Sequence, residues 1–353
     1  MFPYFLILSF VVLCSLIEMF KIKKKTALFL FFFSFLLLFL FSGLRYNVGM
    51  DYSAYEQLYK ESLNRINPDI KELGWAYFFY LFRNIGIPFP VVILFISFLT
   101  ISNVFVFIRR YSPYPFLSVL IFFCFTQYYT YTFNVIRQCL ASYIFFVLLE
   151  CIKDRRLVKY LFAIGFITFF VHTTAIILLP LYFIIHRSYS VFIKLCVILV
   201  SLFCAKFLIL LIASSETYRI YLAFEQYAED ITITTYMLIL IGLLFLIYEV
   251  FAKEKIAQEI ILFNINFLFL LFLIVACFFA GTPLIIVFLR FAFYFTPVLI
   301  VLLPLMIKKV FSKRSQYVVV SFIIMGYVTL FCYTISSGGV QNRLVPYETV
   351  LLK

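Results

Sequence analysis

The chain has 353 residues, of which 65% are hydrophobic and 13% charged, with 50 phenylalanines and a formal net charge of +13. Soluble domains carry roughly 25% charged residues, so this composition excludes an ordinary soluble enzyme, and it predicts an all-α polytopic membrane protein. A transmembrane β-barrel, with its short alternating segments, is excluded by the long uninterrupted apolar runs, and no polar interval exceeds about 30 residues, so residues 1–353 read as a single transmembrane domain.

In chain order, the run "MFPYFLILSFVVLCSLIEMF" ends in "KIKKK" rather than in a small-residue cleavage site, and so reads as a retained first span and not a signal peptide. The lysines place residues 21–25 on the cytoplasmic side and Met1 outside. A second span over 27–43 delivers "GLRYNVGMDYSAYEQLY" to the outer face. There Asp51 precedes a helical face of Tyr52, Tyr55, Leu58, Tyr59, Leu63 and Ile66. The aromatic stretch 74–86 is too short to cross and predicts an interfacial or re-entrant helix. Spans follow over 88–108, ending at Arg109 and Arg110, then 115–131 and 134–152, ending at "KDRR". The run 157–186 is bracketed by Lys159, Arg187 and Lys194, which all favour the inside; two short helices turning near His172 satisfy them. Further spans cover 191–213, 232–251, 258–280, 284–307 and 316–335, with an outer loop at 214–231. The expected topology is about twelve spans with both termini outside, and it puts about 18 of the 29 basic residues in the cytoplasm. Net positive charge thus follows from topology and implies no nucleic acid. The eight cysteines lie in or beside apolar runs without a C-x-x-C pair, as small buried hydrophobes do.

Ionisable residues at the outer ends of spans are the functional candidates, because charge near lipid is costly. They are Arg45, Asp51, Glu72, Arg137, His172 and Arg290. Arginine's planar fork suits phosphate oxygens, and a carboxylate suits deprotonation of a sugar hydroxyl. Five of the six also have a plainer role available: an interface anchor for Arg45, snorkelling for Arg137, a helix cap for Asp51, a favourable helix-dipole position for Glu72, and a hydrogen-bonded structural residue for His172; Arg290, with apolar neighbours on both sides, admits a bland role less readily. Trp75 and its aromatic neighbours fit either a sugar-stacking surface or an interfacial belt. Lys206, within a span, is expected to snorkel. No nucleotide loop, dinucleotide fingerprint or metal spacing is present, so no cofactor and no metal are expected.

The stretches "GLRYNVGMDYSAYEQLY", "KELGWAYFFYLF", "NVIRQCLASYIFF", "VHTTAIILLP" and "LRFAFYF", in that order, resemble the EpsG family of polysaccharide polymerases, which includes some Wzy O-antigen polymerases. The most specific part is R-x-x-x-G-x-D-Y, here Arg45, Gly49, Asp51 and Tyr52; the tail "QNRLVPYE" matches only partly, giving Arg343 little weight. The resemblance implies a glycosyltransferase of the bacterial inner membrane that joins repeat units of a surface polysaccharide, O-antigen or exopolysaccharide. The implied substrates are undecaprenyl-diphosphate-linked oligosaccharides, and a chain-length regulator protein is an implied partner beside membrane lipid. Asp51, Glu72 or His172 would serve in catalysis, and Arg45, Tyr52, Trp75, Arg137 and Arg290 would bind diphosphate or glycan. A flippase for the same lipid-linked units is the rival reading; it would place ionisable residues near the midplane of broken helices. An integral-membrane acyltransferase is a second rival; it would more naturally show a catalytic histidine with acidic partners close by, and His172 has none nearby in sequence.

Overall fold

The computed structural model describes residues 1–20, 22–214, 231–252, 255–339 and 343–352. The expected outer loop therefore lies outside the described residues except at its ends, as does the side chain of Lys206. The described chain is helical, without a named strand; one isolated bridge joins Arg45 to Thr349. The helices are α1 (Phe2–Glu18), α2 (Lys24–Gly43), α3 (Tyr52–Glu61), α4 (Leu73–Asn84), α5 (Phe89–Tyr111), α6 (Pro115–Cys124), α7 (Ile136–Lys153), α8 (Leu157–Phe170), α9 (Leu181–Ile184), α10 (Val191–Ala213), α11 (Ile233–Phe251), α12 (Ala257–Phe278), α13 (Leu284–Phe293), α14 (Leu299–Val310) and α15 (Lys313–Gly338).

By length and apolar composition, six candidate membrane spans stand among the described residues: α2, α5, α11, α12, the stretch Leu284–Val310, and α15. The protein is a polytopic membrane protein on that ground. Several runs expected to cross are shorter or interrupted. The run at 115–131 is helical only to Cys124 and then passes through an irregular stretch with a 3-10 turn at Thr130–Phe133. Ten helical residues reach about 15 Å, half the hydrocarbon thickness. The run at 157–186 breaks as expected: α8 ends at Phe170, His172 is extended, and a 3-10 helix spans Thr173–Leu178.

Two compact units are distinguished. The first comprises residues 1–148, 158–179 and 300–353. Its innermost element is α6, every residue of which from Phe116 to Cys124 is buried. Proline opens α6, where a missing N–H is no loss. The Glu18 carboxylate accepts from the next two amides, Phe116 N at 3.0 Å and Leu117 N at 2.9 Å. Helices α1 and α15 pack on α6, and α2 packs along α5 through the rings of Phe35, Phe39, Phe98 and Phe105.

The second unit comprises residues 149–157 and 180–299. Helix α12 is its hub, packed against α10, α11 and α13. Ser or Thr caps are rare among the helices, but Thr232 caps α11 through the Thr235 amide. A buried ion pair joins Lys194 Nζ of α10 to both carboxylate oxygens of Glu249 on α11, at 2.8 and 2.7 Å. Asn264 of α12 donates to the carbonyls of Ile185 and Arg187 at 2.8 and 2.7 Å, satisfying backbone at the end of α9.

Candidate functional site

The loop after α2 begins with Arg45, which is 1% exposed. Its Nη1 donates to the Ser42 carbonyl and, at 3.3 Å, to the hydroxyls of Ser42 and Ser97. The guanidinium lies over the Phe133 ring, 4.6 Å from its centroid, an arrangement that offsets lost hydration. Arg45 is therefore an internal arginine, not an interfacial anchor. The C-terminal segment closes over this loop: Glu348 O accepts from Tyr46 N at 2.9 Å, Arg343 O from Gly49 N at 2.9 Å, and Leu44 O from Val350 N at 3.0 Å.

Gly49 has φ +100°, and an added Cβ would stand 2.8 Å from the Phe133 carbonyl and 2.9 Å from Asn134 Oδ1. Only glycine combines that dihedral with that approach. The same Asn134 oxygen accepts from Met50 N at 2.7 Å. These contacts fasten the loop, and Asp51 with it, to the residues that lead into α7. Asp51 occupies the N-cap position of α3 but makes no side-chain cap hydrogen bond. Its charge acts instead on the phenol of Tyr55, together with those of Arg137 and Glu72. The buried face of α3 is shorter than the sequence suggests: Tyr52 and Tyr59 are buried, whereas Leu63 and Ile66 are exposed beyond the helix end.

Glu72 is the centre of the cluster. It stands at the N-cap position of α4 without capping it. Glu72 Oε2 accepts from Arg137 Nη1, and Oε1 faces His172 Nδ1 at 3.0 Å. Glu72 is 4% exposed, while the side chains of Arg137 and His172 are 25% and 17% exposed. Burial pushes the carboxyl upward, but the hydrogen bond from His172 and the charges of Arg137 and His172 outweigh it and hold the group at about 2. Arg137 Nε also donates to the Tyr55 hydroxyl at 3.1 Å. Because that oxygen accepts, its own proton is left to point elsewhere. Gly74 brings the pieces together: an ideal Cβ there would meet Phe170 Cα at 2.5 Å and the Phe169 carbonyl at 2.7 Å. The start of α4 thus presses on the end of α8, two residues before His172.

The structure therefore groups Glu72, Arg137 and His172, from three separate sequence stretches, with Asp51 in electrostatic reach through Tyr55. Trp75 and Tyr52 are both buried. Trp75 packs on Phe78 and Phe79, with ring centroids 5.4 and 5.6 Å away. Tyr52 packs on Phe89 and Tyr46. Arg290 is exposed at the end of α13 in the second unit. Tyr55, Gly74 and Asn134 were not singled out as site residues from sequence; Tyr55 lies four positions after Asp51 and three after Tyr52, so helical spacing was the available signal.

As an arrangement of charge, the cluster offers an arginine whose fork is only half spent, an imidazole held by one nitrogen, and a phenol with a donor to give. Such groups bind anionic oxygens and move a proton. Compared with known proteins, residues 28–349 match the EpsG family model. No curated protein and no solved structure matches the chain.

Proposed function

Since this chain belongs to the EpsG family, a family of Wzy-type polymerases, we propose that it polymerises the repeat units of a bacterial surface polysaccharide. The growing glycan on undecaprenyl diphosphate is the donor and a lipid-linked repeat unit the acceptor. The reaction takes place at the outer face of the inner membrane, in a chain of about twelve spans with outer termini. The observation that carries this reading is Arg137. Glu72 and Tyr55 fix its guanidinium through Nη1 and Nε, which leaves Nη2 for a phosphate oxygen. A preorganised cation of this kind stabilises charge as it develops on a departing diphosphate.

Attack by the acceptor hydroxyl on the anomeric carbon inverts that centre, with arginine supplying the charge that a metal ion supplies in other transferases. The base is Asp51, Glu72 or His172. For Arg290 the role of a second diphosphate ligand rests on its expected place at the outer end of a span and on the sequence resemblance.

The test is Arg137→Lys. An ammonium keeps the charge but cannot hold Tyr55, Glu72 and a phosphate at once in a planar fork. The variant, inserted at normal abundance, is expected to leave single lipid-linked repeat units unextended. Full-length polymer from it would contradict the diphosphate role.

A further inference from the structure

Both oxygens of Glu72 are committed, one to Arg137 and one to His172. A carboxylate that the hydrogen bond from His172 and the charge of Arg137 hold below its ordinary value is a weak base toward a sugar hydroxyl at neutral pH, since general bases work best with values near the operating pH. His172 is differently placed. Its Nδ1 faces an ionised carboxylate, which only accepts hydrogen bonds, so Nδ1 carries the proton and the lone pair of the neutral ring lies on Nε2. Nε2 has no hydrogen bond among the described residues, and the ring is partly exposed. The backbone holds the ring at this point: His172 N donates to Ile167 O at 2.9 Å, and His172 O accepts from Ala175 N at 3.0 Å.

We propose that His172 Nε2 is the general base of the transfer and that Glu72 is its positioning residue, an assignment that rests on the polymerase reading. Nε2 takes the proton of the acceptor hydroxyl as that oxygen bonds to the anomeric carbon of the donor. The bond from that carbon to the diphosphate oxygen breaks, and its electron pair leaves with undecaprenyl diphosphate beside Arg137. The imidazolium is stabilised by the Glu72 carboxylate and returns its proton to water. Glu72 thus organises both halves of the reaction, holding the base by one oxygen and the leaving-group cation by the other.

The test uses the full chain in lipid nanodiscs, with undecaprenyl-diphosphate-linked oligosaccharide extracted from a strain that lacks the chain. His172→Gln is expected to lower kcat by about 10²–10⁴-fold, with KM for the lipid-linked substrate near that of the wild type. In His172→Gly, added imidazole is expected to restore part of the rate, which a purely structural histidine would not allow. The chain has two histidines, so ¹⁵N-histidine spectra in a His186→Gln background report His172 alone. They are expected to show the Nδ1-protonated tautomer, lost in Glu72→Gln along with most of kcat. A loss confined to Asp51→Asn, with His172→Gln turning over at wild-type rate, would overturn the assignment and move the base to Asp51. An Nε2-protonated ring would overturn it too, and either result would leave the polymerase reading standing. If the wild type binds the lipid-linked substrate and forms no polymer, the polymerase reading fails and the base assignment falls with it, a result distinct from slow turnover in the His172 variants alone.

Discussion

Gly74 and Phe170 are in backbone contact: a Cβ on Gly74 would lie 2.5 Å from the Phe170 Cα, closer than real Cβ atoms come. Phe170 ends α8 and cannot yield like the tip of a flexible side chain. Gly74→Ala should therefore push α4 from α8 and lengthen the Glu72–His172 contact two residues away on either side. The expected outcome is an inserted protein with kcat reduced at least about tenfold, since small misplacements of catalytic groups are expensive. Wild-type turnover in Gly74→Ala would mean that this contact does not set the cluster geometry.

The Glu72 carboxyl is lowered in the fold from an ordinary 4.5 to about 2. A depressed carboxylate adds stability that is complete above its unfolded value and is lost as pH falls through the folded one. The Glu72 contribution should thus be constant above about pH 4.5 and vanish between there and about pH 2. Thermal unfolding of wild type and Glu72→Gln in detergent, compared from neutral pH downward, should show a gap that narrows only in that acid window. A gap that closes between pH 8 and pH 6 would assign it to another group.

Lys194 and Glu249 form a buried pair within the second unit, with Lys255 Nζ 3.4 Å from the same carboxylate. Removing one partner of a buried pair strands the other, at about 3–5 kcal/mol. Glu249→Gln should lower the unfolding temperature markedly, and Lys194→Met in the same chain should recover much of the loss. If the single variant unfolds like the wild type, the pair is hydrated and stabilises nothing.

Much of this organisation was legible in the sequence. The helical class follows from composition, and the break at His172 follows from basic residues on both sides of one apolar run. Arg137 and Glu72 stood out as ionisable residues at the outer ends of expected spans. Other features were hidden for physical reasons. The end of α6 at Cys124 is followed by "FTQYYTYTF", whose aromatic residues keep the stretch apolar although its backbone has left the helix. The role of Gly74 depends on Phe170, about a hundred positions away, and local periodicity carries no such information. The tail "QNRLVPYE" carried little weight because it matches the family's ending only partly. It is held by backbone hydrogen bonds to the loop after α2, and these do not depend on side-chain type. Arg45 read equally well as an anchor, because burial over Phe133 is a tertiary property.

Polymerisation of lipid-linked repeat units is read out in the glycolipids of a strain from which the chain has been deleted. Extracted undecaprenyl-diphosphate glycans should carry one repeat unit, accessible to glycan-modifying enzymes added at the outer face. Long glycans persisting on the lipid, or single units protected at the inner face as the loss of a flippase would leave them, would contradict the account.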